Sequence, residues 1–327
     1  MKNGLAVVGC GDWGKNLVRN FYDLGALTHV CDNDINRLTY ARTTYPNLIF
    51  TPTFESLLSN ESVTALVIAT PAEDHSWMVK AALKAGKDVF VEKPFSLQYR
   101  HAEGLVSLAE RLNKILMVGH LLEYHPAIVK VKEIIKTGAI GEVQYIYSNR
   151  LNLGRIRQAE NILWSFATHD IAVILRLMGN LPVEVTSTGG TFLQPDIADV
   201  TVTSMRFESG AKAHIFVSWL HPYKEHRLVV IGSNRMISYD DVAEQRKLIL
   251  YDRSINWVEG KPVPRQGPTT PIQFSMDEPL KNECKHFLDC LKTRRAPLTD
   301  GRSALNVLRI LDASQMSLEA HGAPVPV

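Results

Sequence analysis

The sequence predicts an α/β protein: an N-terminal doubly wound parallel sheet, followed by a C-terminal α/β domain with an open, mostly antiparallel sheet. Three observations carry this. Between residues 5 and 119, short runs of apolar and β-branched residues alternate with helical patterns, which gives parallel strands covered by helices on both faces. A Gly-x-Gly-x-x-Gly string, Gly9 to Gly14, sits where the first strand passes into the first helix. Beyond Gly119 the runs lengthen and alternate polar with apolar, the mark of a sheet with one covered face.

In the first half, strands are expected at 5–8, 27–32, 65–69, 89–92 and 115–119, with helices such as 13–24 and 78–85 between them. Gly86, without a Cβ, suits the left-handed position that ends the second of these. In the second half, Ala211, Ala213, Ile215, Val217 and Trp219 alternate with Lys212, His214, Phe216 and Ser218, so the first set belongs on a buried face. The preceding run, 200–207, joins this strand through Glu208-Ser209-Gly210 as an antiparallel neighbour. The stretch Lys261–Pro271 holds Pro262, Pro264, Pro268 and Pro271, which cannot donate to a ladder, and reads as a long loop. Helices at 279–293 and 302–319 close the chain.

A length of 327 residues, 45% hydrophobic and 21% charged, exceeds one ordinary core and predicts two domains. They are placed at 1–121 and 122–327, with the last helix free to pack back on the first. Lys and Arg total 36 against 34 Asp and Glu, a formal charge of +2 with no basic stripe, so neither nucleic acid nor a membrane is an expected partner. Cys10, Cys31, Cys284 and Cys290 lack C-x-x-C spacing, which predicts reduced thiols and no metal site. The opening MKNGLAVVGCG has no signal-peptide pattern, and no run reaches the roughly 20 apolar residues of a membrane span. A cytoplasmic location is expected.

The glycine string points to a dinucleotide. Gly9 permits the tight turn, Gly11 the approach of a pyrophosphate and Gly14 the close packing of helix on strand, with Asp12 and Trp13 in the same turn. Asp32 ends the second strand, where a carboxylate accepts the adenosine ribose hydroxyls and repels a 2′-phosphate, so NAD is the expected cofactor. Arg37 nearby is the residue that could instead pair with that phosphate. Thr70 and Pro71, then His75, and then Glu92, Lys93 and Pro94 follow further strand ends, where ligands of open α/β sheets lie. His75 is either a contact to the cofactor or a residue entering the next helix.

Together with ATPAEDH, VEKPFS, Gly119-His120, WSFATHDI and DGRSALNVLRILDAS, the string GCGDWG makes the chain resemble, over essentially its whole length, the glucose-fructose oxidoreductase, inositol dehydrogenase and MocA (Gfo/Idh/MocA) family of sugar and cyclitol oxidoreductases. The resemblance implies a Rossmann domain, a second sheet used for oligomerisation and a substrate pocket between the domains. By it, Lys93 matches the family's catalytic lysine and His169 its catalytic histidine. The residues themselves place His169 near the positive end of a helix over 167–178, a field that disfavours imidazolium. Many members carry Asp where this chain has Ser165, so Asp170 or a backbone group orients His169, or Lys93 handles more of the proton. Leu121-Leu122-Glu123-Tyr124 stands where an Arg-Phe pair is common, and puts Tyr124 in the pocket wall.

Arg155 and Arg157 follow Gly154 in a segment suited to an anion, since guanidinium pairs bidentately with phosphate; a surface ion-pair network is the other reading. With NILWSFATHDI, this segment resembles the branch acting on UDP-linked N-acetylhexosamines. That implies oxidation of the 3-hydroxyl of UDP-N-acetylglucosamine in an amino-sugar or lipopolysaccharide pathway, with an aminotransferase acting next. Another sugar, such as a UDP-N-acetylglucosaminuronate or a cyclitol, is the alternative within enzymes, and an inactive nucleotide-sensing regulator the alternative outside them. A homo-oligomer, dimer or tetramer, is expected from apolar residues on an open sheet.

Overall fold

The computed structural model describes residues 4–154, 156–158 and 160–327. In chain order the elements are β1 (Gly4–Val8), α1 (Gly14–Asp23), β2 (Leu27–Cys31), α2 (Ile35–Thr44), β3 (Ile49–Thr51), α3 (Phe54–Ser59), β4 (Val63–Ile68), α4 (Ala72–Lys84), β5 (Asp88–Glu92), α5 (Tyr99–Arg111) and β6 (Leu116–Gly119). Then come α6 (Pro126–Lys136), β7 (Val143–Leu153), α7 (Thr168–Met178), β8 (Glu184–Gly190), β9 (Val200–Arg206), β10 (Lys212–Ser218), β11 (Leu220–Gly232), β12 (Met236–Asp240), β13 (Leu248–Val258) and β14 (Lys261–Pro271). The chain closes with α8 (Pro279–Thr293), α9 (Gly301–Glu319) and β15 (Val325–Pro326).

Two compact units result, Met1–Tyr124 with Asp277–Leu308, and His125–Met276 with Arg309–Val327. A division at 121/122 omits the return of α8 to the first unit. The cause is packing: Phe287 of α8 meets Phe21 and Phe90 edge to face, at 6.3 and 5.6 Å between centroids, while Leu280, Cys284 and Cys290 join the same core.

The first unit holds a parallel sheet of order β3-β2-β1-β4-β5-β6. Helices cover both faces of its inner strands, so all five residues of β1 and of β5 are buried. The helix α1 turns Leu17, Val18 and Phe21 inwards, the helical spacing of a single apolar stripe. Gly86 follows α4 with φ +74°, as its missing Cβ allows. The three-residue edge strand β3 was not expected, being too short to show a period.

The second unit is a mixed sheet of order β14-β13-β12-β11-β7-β10-β9-β8-β15 in which β10 runs parallel to β7 and the other pairs are antiparallel. Ala211, Ala213, Ile215, Val217 and Trp219 are all buried, and Gly210 makes the turn before them at φ +86°. Lys261–Pro271 is a strand, not the long loop that its prolines suggest. It is the edge of the sheet, paired only with β13, so prolines whose missing N–H would point outwards cost no ladder bond. Pro262 and Pro264 share that parity, and an irregularity of register between Tyr251 and Arg253 resets it before Pro271.

Candidate active site

In the first unit, strand order reverses between β1 and β4, and the turns after β1, β4 and β5 leave the sheet at its carboxyl ends. Gly9 has φ +89°. A Cβ there would lie 2.7 Å from the Ala69 carbonyl oxygen, and one on Gly14 would lie 2.0 Å from that of Gly9, so no other residue fits either position. The nearest atom to a Cβ on Gly11 is the Arg37 Nη1, at 3.3 Å. The N-terminus of α1 has no side-chain cap and no acid in its first turn. Its positive dipole end, with no side-chain cap over it, fits the pyrophosphate of a dinucleotide.

Asp32 is buried just beyond β2. One carboxylate oxygen accepts from the Cys10 N–H at 2.7 Å and the other from the Asp34 N–H at 2.9 Å. Four lone-pair sites are available to a carboxylate, so capacity remains for hydroxyl donors. Arg37 stands over this corner, 3.7 Å from Asp32 and 3.4 Å from Asp34. Burial, then the Asp32 charge, pushes the Cys10 thiol up to about 12; burial does the same to Cys31. Both are inert packing groups.

Thr70 and Pro71 lie between β4 and α4, with Pro71 at the helix N-cap. His75, 1% exposed, faces the Pro94 carbonyl at 2.8 Å and the Thr70 carbonyl at 2.9 Å. It braces the turn after β4 against the turn that carries Lys93. Glu92 ends β5; its Oε1 accepts from the Trp13 indole N–H at 2.7 Å and its Oε2 from the Lys93 backbone N–H at 3.3 Å. The structure thus brings Gly9, Gly11, Gly14, Asp32 and Arg37 together, and links Trp13 to Glu92 and Lys93. Tyr124, expected in the pocket wall, is buried instead within the first unit, where its hydroxyl meets Thr299 at 3.2 Å and its ring packs on His286. Its aromatic mass serves the packing of α8 there.

His169 belongs to the second unit. The helical run holding it starts earlier than 167: Asn161 Oδ1 accepts from the Trp164 N–H at 3.2 Å, and a π-helical turn, Leu163–Ala167, precedes α7. Dipole effects fade within the first turn, so the expected field at His169 is not provided. Ser165 is buried in the π turn, a rare local structure concentrated at functional sites. Asp170 is directed at the sheet. Ser148 Oγ donates to it at 2.6 Å, and Arg150 adds bonds of 2.8 and 3.2 Å. These protein donors reach both oxygens. They tie the first turn of α7 to β7 and so fix the backbone at His169. Arg150 escaped the sequence reading, although a charge two residues from Ser148 in a strand shares its face. Asp170→Ala is expected to lower stability by about 3–5 kcal/mol, since it strands a buried guanidinium; chemical denaturation measures this.

Arg157 pairs with Glu160 at 3.5 Å, and its carbonyl accepts from Gln194 at 2.8 Å. Arg155 lies outside the described residues.

Two family models match the chain: an oxidoreductase family with an NAD-binding Rossmann fold over residues 4–120, and the GFO/IDH/MocA C-terminal domain over 128–238. UDP-N-acetylglucosamine 3-dehydrogenase of Acidithiobacillus ferrooxidans is 25% identical over 315 residues, 96% of each chain. The scyllo-inositol 2-dehydrogenase (NAD(+)) of Bacillus subtilis is 25% identical over 263 residues, 77% of this chain and 74% of that one. A solved structure of the A. ferrooxidans enzyme superposes with a TM-score of 0.85 at 24% identity, covering 97% of this chain and 98% of that one.

Proposed function

The chain belongs to the Gfo/Idh/MocA family of oxidoreductases, and we propose that it oxidises the 3-hydroxyl of UDP-N-acetylglucosamine to the 3-keto sugar with NAD. The dinucleotide half rests on one observation: glycines that nothing else can replace, beside an uncapped helix end and the Asp32 carboxylate. The sugar half rests on similarity to the A. ferrooxidans enzyme along 96% of both chains. When bound, NAD supplies the hydride acceptor. Gly9, Gly11, Gly14 and the α1 amides hold its pyrophosphate and Asp32 its ribose.

His169 takes the proton of the reacting hydroxyl, and the ammonium of Lys93 steadies the oxygen as negative charge develops on it. Asp170, held by Arg150 and Ser148, sets the helix turn that presents His169. Arg155 and Arg157 grip the UDP pyrophosphate. An aminotransferase is the class of enzyme that would consume the ketone. Incubation with NAD and a panel of UDP-sugars, following NADH absorbance, tests the reading: reduction with UDP-N-acetylglucosamine is expected, and reduction with cyclitols alone would overturn it.

Cofactor choice has its own test. Asp32 repels a 2′-phosphate, whereas Arg37 beside it offers a phosphate partner. NAD is expected to bind wild type better than NADP, with Asp32→Ala narrowing or reversing the difference. Titration of both cofactors into both proteins measures it, and an unchanged preference in the variant removes Asp32 from that role.

A further inference from the structure

Three buried glutamates from different elements of the first unit lie within electrostatic reach of one another. Glu92 comes from the end of β5, Glu123 from the short 3-10 helix Leu121–Tyr124, and Glu283 from α8. All three are buried, Glu283 completely. Their surroundings differ. Glu92 accepts from the Trp13 indole and the Lys93 amide, and feels the Lys93 charge. Neither carboxylate oxygen of Glu283 has a hydrogen-bond partner among the described residues.

We propose that Glu283 is a positioning residue that holds a proton as a neutral acid, so that Glu92, not Glu283, carries the negative charge set against Lys93. The proposal rests on the reading above, in which Lys93 steadies the substrate oxygen, and it adds the group that fixes the charge behind it.

Carboxyls sharing an interior site cannot all ionise, and the charge settles where donors stabilise it. Glu92 has two donors and a neighbouring cation. Glu283 has neither, and burial first, then repulsion from Glu92 and Glu123, raises it well above the ordinary range. His120, after β6, supplies no second cation, because burial and then Lys93 push its imidazole down to about 4. Tyr124 and Cys284 are held neutral by burial, with the nearby carboxyls adding to the effect. The site is closed tightly on the β6 side: a Cβ on Gly119 would lie 2.8 Å from Glu92 Oε2. Among the described residues, no group of three His, Cys, Asp or Glu is disposed to hold a metal ion.

Burial pushes Glu92 up to about 7, against the pull of Trp13 and Lys93. Its native value therefore exceeds its unfolded one. The stability this group contributes is full below the ordinary glutamate range and is lost as pH rises towards 7.

The test uses the whole unliganded chain and needs no substrate, so failure of the sugar assignment leaves it standing. Infrared spectra should show the carbonyl stretch of a protonated carboxyl that persists above the Glu92 transition and disappears in Glu283→Gln. Glu92→Gln should abolish a separate component that titrates near pH 7, and should flatten the loss of melting temperature over the same range. Trp13→Phe should move that transition to higher pH by removing a donor to the charged form. Glu283→Gln should leave its midpoint in place. Absence of the persistent band in wild type overturns the proposal even if Glu283→Gln fails to fold. So does survival of the band in that variant, or a marked fall of the Glu92 midpoint, which would mean that Glu283 had carried charge.

Discussion

Alanine at Lys93 or at His169 is expected to lower kcat with UDP-N-acetylglucosamine at least about a hundredfold while NAD binding persists, the loss typical of a group that moves or shadows a proton in the transition state. Lys93 leaves β5 at a strand end, next to a carboxylate that is itself fixed by the Trp13 indole. The Lys93 ammonium therefore feels a neighbouring carboxylate charge. Its removal takes away charge stabilisation that water in a closed site would not replace. His169 stands on a backbone fixed by the Asp170–Arg150 pair, so its loss removes a base without loosening the helix. If both groups act on one oxygen, as proposed, the double variant should be little slower than the slower single one. Steady-state rates and NAD titrations on the three variants check this. A single variant with near wild-type kcat would remove that residue from the mechanism.

How much of this was legible in the sequence follows from how local each signal is. The glycine string, Asp32 and the strand-end lysine are read from a few consecutive residues, and the parallel sheet follows from runs buried on both faces. Contacts between distant segments leave weaker traces. Glu283 falls on the apolar stripe of α8, with Leu280, Cys284 and Phe287 as its neighbours on that face, so helical spacing alone could have marked it as buried. Its nearness to Glu92, almost two hundred residues away in sequence, could not be read that way. The π turn before His169 has no residue pattern of its own; only Asn161 hints at an earlier helix start. The prolines of β14 misled because their cost depends on whether a strand lies at an edge, which is a property of the whole sheet.

The nucleotide handle should govern the substrate. If Arg155 and Arg157 hold the UDP pyrophosphate, much of the binding energy comes from a part of the molecule remote from the reacting carbon and serves to align that carbon. Each charge-assisted contact contributes about 1.5–3 kcal/mol, so free N-acetylglucosamine should show a kcat/KM lower by roughly a hundredfold to ten-thousandfold. Arg157 starts in a surface pair with Glu160 at 3.5 Å. Such a pair is worth at most about 1 kcal/mol, so surrendering it to a diphosphate is cheap. Arg→Lys at either position should raise KM for the nucleotide sugar, because an ammonium cannot reproduce the planar two-pronged contact, and should leave the slow reaction of the free sugar untouched. Kinetics with both substrates on wild type and the two variants measure the difference. Equal efficiency on the free and the nucleotide-linked sugar in wild type would sink the proposal and favour an inositol-like substrate held without a phosphate grip.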